Sequence, residues 1–393
     1  MAAGVAGMGD FTVRDIFARF YSGYLDKYTP SFAQAKTANH ILNCKTGAYG
    51  SNISKCGNCG QVKYHHNSCR DRNCPMCQGF LKDKWVDAQK DYLLDAPYYH
   101  VVFTLPHELN AVVLNNQKEL YSLLFTAAAD TLSELSCDRK YLGARPGFIS
   151  VLHTWGSDMS YHPHLHIIVL GGGLTADGSW YAKDDGFFLP VKAVSRLFKG
   201  KFMGGLKELC KNGLLAFHGT AGKYRNRYVF RELVNLCYKK EWVPYCKKAF
   251  QNAMAVIGYL GRYTHRIAMG NSRIISIDGE NVTFRVKDYR NDGRPATRTI
   301  PGIEFIRRFL LHVPPKGFVR IRHYGLLSSR CKKEKIVLCR NLIGCRKYIS
   351  TLKGLNGAGI IKILFGRDVH KCPSCGDSLI EMTQAVPVLV GNT

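Results

Sequence analysis

At 393 residues and 46% hydrophobic content, the chain is long enough for two or three domains and too apolar to be a disordered one. Its 55 Lys and Arg against 29 Asp and Glu give a formal net charge of +26, concentrated in two windows: 17 basic and 3 acidic residues from Lys192 to Arg273, and 16 and 2 from Phe305 to Lys371. That imbalance is the footprint of a polyanion binder. With no cationic, apolar leader and no apolar run near the ~20 residues that span a bilayer, the expectation is a soluble cytoplasmic protein, nucleoid-associated, with no membrane partner.

In chain order, residues 11–43 read as helical, with Ile16, Phe17, Phe20 and Tyr24 at helical spacing and a second helix over Phe32 to Leu42. Residues 44–79 are rich in cysteines and turns. A helix follows from Leu81 to Leu94, then a strand from Tyr98 to Leu105 closed by Pro106. Residues 108–136 are helical. Phe148 to Trp155 is a strand, joined through a turn at 156–161 to a second strand carrying His164 and His166, and Gly171–Gly173 are expected to end it. Trp180 to Val191 reads as a further strand and 192–215 as a basic helix. Tyr245 to Ala268 reads as one long helix, stopped by Gly270-Asn271. Two strands, 273–277 and 282–286, flank the turn at 278–281. A helix spans Glu304 to His312, and a basic tail follows. Strands mixed with helices, with at least two hairpins, predict an α+β fold with an antiparallel sheet flanked by helices.

Of the 15 cysteines, Cys56 and Cys59 form one C-x2-C, and Cys74 and Cys77 form another, with 14 residues between them. Two such knuckles supply four thiolates for tetrahedral, structural Zn²⁺. Cys69, His65 or His66 can replace one of the four. Disulfides are the competing reading, disfavoured by the lack of a secretion signal. The module would present Lys55, Lys63, Arg70 and Arg72 to nucleic acid. Cys372 and Cys375 make half of a further site, with Cys339, Cys345 or His370 as partners to consider and no spacing that selects among them.

Alternate residues of a strand share a face, so His164 and His166 project together. His162 precedes them, and His153 lies on the strand expected to pair with theirs. A hairpin partner brings a third ligand beside the first two and leaves coordination positions open, which is the catalytic arrangement. In the predicted helix, Tyr259 and Tyr263 are four residues apart and share a face. Gly258 and Gly261 suggest close backbone approach, and Arg262, His265 and Arg266 surround the hydroxyls with positive charge that would hold a phosphate. A nucleophile, a metal and a basic groove together make a phosphoryl-transfer arrangement with a covalent intermediate.

Several stretches resemble one family. FTLPHEL (103–109), VLHTWG (151–156), HPHLH (162–166), GYLGRYTHR (258–266) and RIRHYGLL (320–327) look like the two-tyrosine HUH transposases of rolling-circle insertion sequences, and SCRDRNCPMCQ (68–78) looks like the zinc domain that precedes their nuclease. The resemblance covers roughly residues 30–330 in order; it departs at Asn73, where the family often has His. It implies an HUH-type nuclease core in which His164 and His166, with His153 as third ligand and Asp158 behind it, hold Mg²⁺ or Mn²⁺ against the scissile phosphate. Tyr259 or Tyr263 then attacks, leaving a 5′-phosphotyrosine on DNA that is single-stranded at the cut. The expected organisation is a helical and zinc-binding DNA-binding domain (1–95), the nuclease core (96–272), a hairpin-helix extension (273–330) and a basic tail with a candidate zinc knuckle (331–393). No GxxxxGK[ST] loop occurs, so a host helicase would displace the strand. The oligomeric state is not set by the sequence. Two other classes stay open on the residues alone: a non-catalytic, zinc-dependent nucleic-acid-binding protein, and a hydrolytic metal-dependent nuclease without a covalent intermediate.

Overall fold

Three antiparallel sheets organise the chain in a computed structural model that describes residues 11–183, 189–250, 255–256, 258–259, 261, 267–288, 291–345 and 347–385. Helices α1 (Val13–Leu25) and α2 (Phe32–Asn43) each open on a capping box, Thr12 with Asp15 and Ser31 with Gln34. β1 (Ser51–Cys56) and β2 (Val62–His66) form a hairpin, and α3 (Gln78–Gln89) follows. Next come β3 (Tyr98–Thr104), α4 (Asn110–Asn115), α5 (Gln117–Cys137), β4 (Arg145–Trp155), β5 (Tyr161–Leu174) and β6 (Trp180–Ala182). They are followed by α6 (Val191–Lys211), α7 (Arg227–Lys239), β7 (Tyr245–Phe250), β8 (Ile274–Asp278), β9 (Asn281–Asp288) and β10 (Arg294–Pro301). The chain continues through α8 (Gly302–Leu311), β11 (Ile321–Gly325), α9 (Lys332–Ile343), α10 (Gly357–Phe365) and β12 (Leu379–Ala385).

The central sheet runs β11-β4-β5-β3-β7, with β6 paired to the end of β5. Strand alternation divides its side chains between two faces. Val101 and Phe103 of β3, Phe148 and Leu152 of β4, and Leu165, Ile167 and Val169 of β5 are buried in one cluster with Leu124 and Phe125 of α5 and Phe198 and Phe202 of α6. Each fully buried Leu or Phe here stabilises the fold by roughly 1.5–3 kcal/mol. On the other face, Tyr98, Ile149, Val151, Ile168 and Leu170 pack with Val256, Tyr259, Leu326 and Ile336. A separate core joins α1 to α8 and the β8–β9–β10 sheet, with Phe17 edge-on to Phe309 at 5.5 Å.

Four expectations change. Tyr245–Phe250 is a strand on the sheet edge, paired with β3, and not the start of a helix; of the described residues beyond it, 255, 256, 258, 259 and 261 are helical. Edge pairing overrides a helical pattern carried mainly by residues later in the chain. Gly171–Gly173 do not end their strand but lie within it. A Cβ at Gly171 would stand 2.6 Å from the Tyr99 ring and 3.0 Å from the Pro97 carbonyl oxygen, so glycine is what lets β5 pass. The strand expected over 180–191 is limited, among described residues, to Trp180–Ala182. The basic tail is folded, as α9, α10 and β12.

The tail docks back on α3. Asp87 accepts hydrogen bonds from the Ser350 hydroxyl, the Thr351 hydroxyl (2.9 Å) and the Leu352 amide (2.9 Å), and pairs with Lys90 at 2.6 Å. Burial pushes its carboxyl up, but these donors outweigh it and hold the group well below the usual carboxylate range. Arg340 of α9 donates to the carbonyl oxygens of Asp91 (2.6 Å) and Leu93 (3.3 Å). Asp87→Ala leaves the Leu352 amide unpaired, and a loss of about 3 kcal/mol is expected in urea unfolding, with faster trypsin cleavage between 345 and 355. Unchanged stability and cleavage would show that the tail is held by other means.

Candidate functional site

The face of the central sheet opposite α5 and α6 carries the histidines. His164 and His166 sit two apart on β5, and His153 of β4 lies directly opposite His164 in the antiparallel register. The three can each present a ring nitrogen within 4.8 Å of the other two. His164 Nε2 and His166 Nε2 are 3.1 Å apart. Two nitrogens bound at right angles to one cation at about 2.1 Å would be roughly 3.0 Å apart, so the spacing fits a shared ion. His164 Nδ1 lies 2.7 Å from the His162 carbonyl oxygen. A carbonyl can only accept, so the Nδ1–H donates there and the lone pair falls on Nε2, facing the cluster. His162 therefore contributes through its backbone, and its ring lines the cleft.

A fourth imidazole joins from β3. His100 Nε2 lies 3.0 Å from His166 Nδ1 and 2.6 Å from the Tyr259 hydroxyl. Burial pushes His100 down to about 4, so it is neutral at physiological pH and its Nε2 can accept a hydrogen bond. Two potential donors converge on that one nitrogen. Sequence reasoning missed His100. The only available signal was its place in the YYHVVFTL strand, where even positions share one face, but which strand lies beside it is a long-range fact. Tyr259 is buried, with Val256 three residues earlier on the same packed face. Among the described residues, a side chain at Gly258 would meet nothing within 4 Å and one at Gly261 only ordinary contact with Val86. Tyr263, Arg262, His265 and Arg266 lie outside the described residues.

The histidines open into a cleft of about 1020 Å³ between this face and the β9–β10 hairpin. Trp155, Asp158, Ser160, Lys287 and Arg298 line it with the histidines. Asp158 pairs with Arg298 and accepts from the Ser160 amide at 3.1 Å; it forms the wall and is not part of the histidine cluster. His312 fastens the loop before β5: the Thr154 hydroxyl donates to its Nδ1 (3.1 Å), and its Nε2–H donates to the Met159 carbonyl (3.1 Å).

The cysteines do not group as their spacing predicted. Cys56, Cys59, Cys74 and Cys77 do not make one site. Cys74 and Cys77 converge with Cys44 and Cys69, while Cys56 and Cys59 converge with Cys372 and Cys375. The β1–β2 hairpin carries the first knuckle away from the second, and Cys44, at the end of α2, takes its place. No local motif marks Cys44. His66 is engaged by Ser51 (2.6 Å), and Asn73 by Asp71, with the Asn73 amide donating at 2.8 Å. Arg72 does not face outward. It donates to the Phe318 carbonyl at 2.5 Å.

The chain matches two family models, one described as "Transposase zinc-binding domain" over residues 16–105 and one described as "Putative transposase" over residues 147–335. It is 41% identical to "Putative transposase y4qJ" of Sinorhizobium fredii (strain NBRC 101917 / NGR234), over 92% of each chain. It is 29% identical to the transposase for insertion sequence element IS801 of Pseudomonas savastanoi pv. phaseolicola, over 88% of this chain and 83% of that one. Among solved structures, the metal-bound conjugative relaxase TrwC in complex with oriT DNA is 16% identical over 41% of this chain and 69% of that one, with a TM-score of 0.23. No helix among the described residues is long and apolar enough to cross a membrane.

Burial pushes both His312 and His323 down to about 4. An unfolded histidine titrates near 6.5, so between about pH 4 and 6.5 the unfolded chain binds protons that the folded one refuses. Stability is therefore expected to fall as pH drops from 6.5 towards 4 and to be insensitive to these two groups above 6.5. Urea midpoints at pH 7, 6 and 5 should show the slope, and His312→Gln should reduce it. An equal slope in that variant would show that His312 does not contribute to it.

Proposed function

We propose that this chain, which belongs to the two-tyrosine HUH transposases of rolling-circle insertion sequences, nicks and rejoins DNA that is single-stranded at the cut through a tyrosine-linked intermediate. The observation that carries the reading is the convergence of His153, His164 and His166 on one cleft, with the Tyr259 hydroxyl joined to His166 through His100.

The donor set fits a divalent cation: three imidazoles on rigid strands, one of them oriented by a backbone carbonyl, with the cleft left open to ligands. Bound by these three, Mg²⁺ or Mn²⁺ would supply polarisation of a phosphate oxygen, with water and phosphate completing a shell that favours oxygen. The rest belongs to the chain. Lys287 and Arg298 on the facing hairpin draw the phosphodiester into the cleft. The Tyr259 oxygen attacks phosphorus as its proton passes to His100 Nε2. The bond from phosphorus to the 3′ oxygen breaks, and that oxygen leaves with the electron pair and is protonated to a free 3′-hydroxyl. The 5′-phosphotyrosine keeps the bond energy, so a later attack by a 3′-hydroxyl rejoins DNA without ATP. Tyr263 is the second nucleophile, which lets two strand ends be held in turn. Arg262, His265 and Arg266 flank both tyrosines in sequence and would hold phosphate. Cys44, Cys69, Cys74 and Cys77 hold the structural zinc of the N-terminal domain. Strand displacement falls to a host helicase.

The test is incubation of single-stranded oligonucleotides carrying the element's ends with the protein and Mn²⁺ or Mg²⁺. A denaturant-resistant protein–DNA adduct is expected. It should be lost in the Tyr259→Phe, Tyr263→Phe double variant, with a fall in cleavage of roughly 10⁴-fold. His164→Ala with His166→Ala, or removal of the divalent cation by chelation, should also abolish it. His100→Ala should slow adduct formation by roughly 10²-fold while leaving DNA binding intact. Cleavage without an adduct would replace this reading with a hydrolytic nuclease, and binding without cleavage with a non-catalytic DNA-binding protein.

A further inference from the structure

We infer that Cys56, Cys59, Cys372 and Cys375 bind a second structural zinc ion, which fastens the tail of the chain to its N-terminal module. Cys372 and Cys375 lie beyond both matched family regions, which end at residues 105 and 335.

The two halves of this site are local copies of one another. Cys56 to Gly60 and Cys372 to Gly376 are both C-x2-C-G. In each, the glycine amide donates to the carbonyl of the first cysteine, at 3.1 Å for Gly60 and 3.0 Å for Gly376. In each, the amide of the first cysteine donates to the carbonyl five residues on, Cys56 to Gln61 at 2.9 Å and Cys372 to Asp377 at 2.7 Å. Both glycines are left-handed, with φ of +72° and +76°, a conformation that side chains rarely adopt. This turn aims two thiols at one point. Between the knuckles, Cys56 Sγ is 3.4 Å from Cys375 Sγ, and Cys59 Sγ is 3.6 Å from Cys372 Sγ. Those separations are too long for a disulfide. They approach the roughly 3.8 Å edge of a tetrahedron of sulfurs placed about 2.3 Å from zinc. Four cysteine thiolates select zinc over oxygen-preferring cations.

The backbone supports the same union. β1 is the middle strand of the sheet β12-β1-β2, and Cys56 pairs with Leu379 and Lys55 with Ile380. The Ser374 hydroxyl donates to the Gln61 side-chain oxygen at 2.7 Å, across the join. The ion therefore closes a loop of more than 300 residues, and the binding free energy of a structural zinc becomes stability of the closed form. The closure also sets Lys63 of β2 along one groove with Lys362, Arg367 and Lys371, a basic patch that neither end builds alone.

Metal analysis of the full-length protein is expected to give two zinc ions per chain. Cys375→Ser should remove one, Cys56→Ser should remove one, and the two together should still remove only one. The wild type supplies a second reading that does not depend on a variant folding. Cys59 and Cys375 are exposed, yet they should resist N-ethylmaleimide until a zinc chelator is added. Two zincs retained in Cys375→Ser, two lost in the double variant, iron in place of zinc, or prompt alkylation of Cys375 before chelation would each overturn the proposal.

Discussion

The antiparallel register between β4 and β5 is the constraint on which the site depends. It sets His153 opposite His164; the separate β3–β5 register, on the other side, sets Thr104 opposite His164 and His100 opposite Ile168. Because strand side chains alternate, a slip of β5 by one residue would turn His164 and His166 into the α5–α6 core and Leu165, Ile167 and Val169 out. The register is held by burial on the reverse face, where Leu165, Ile167 and Val169 are fully enclosed. The hydrophobic core and the candidate metal centre are therefore two faces of one decision, and the packing that makes the sheet rigid also fixes the ring nitrogens.

The second layer of organisation is how distant parts of the chain supply what the sheet lacks. The β9–β10 hairpin brings Lys287 and Arg298 over the histidine face. That hairpin belongs to a core shared with α1 and α8, so the N-terminal helices support the outer wall of the cleft. The zinc-binding region lies between these helices and the sheet in sequence, and Arg72 and Arg320 tie it to the chain near β11 by donating to the carbonyls of Phe318 and Arg72. Guanidinium groups engaged in this way hold structure.

What was legible in the sequence was what local periodicity encodes. The histidine strand, its partner with His153, and the hairpin around Asp278-Gly279 all follow from a period of two and from turn residues. The helices α1 and α2 follow from helical spacing, and the structure adds their capping boxes. What was not legible depended on which distant segment lies alongside. Tyr245–Phe250 carries no local strand signal because its strand pairing is with β3, well over 100 residues away. His100 carries no motif until β3 is placed next to β5. The cysteines show the same limit. The C-x2-C turns are visible in the sequence, but knuckles adjacent in sequence are not ligand neighbours: the first meets the third, and the second meets Cys44 and Cys69.

Everything proposed for the cleft rests on the three imidazoles holding a divalent cation against phosphate beside Tyr259. Crystals grown with Mn²⁺ and a single-stranded oligonucleotide, measured on both sides of the manganese absorption edge, would locate that ion. An anomalous peak is expected among His153, His164 Nε2 and His166 Nε2, with a phosphate oxygen completing the shell. A peak elsewhere in the cleft, or none at the histidines while the cysteine clusters hold zinc, would contradict it.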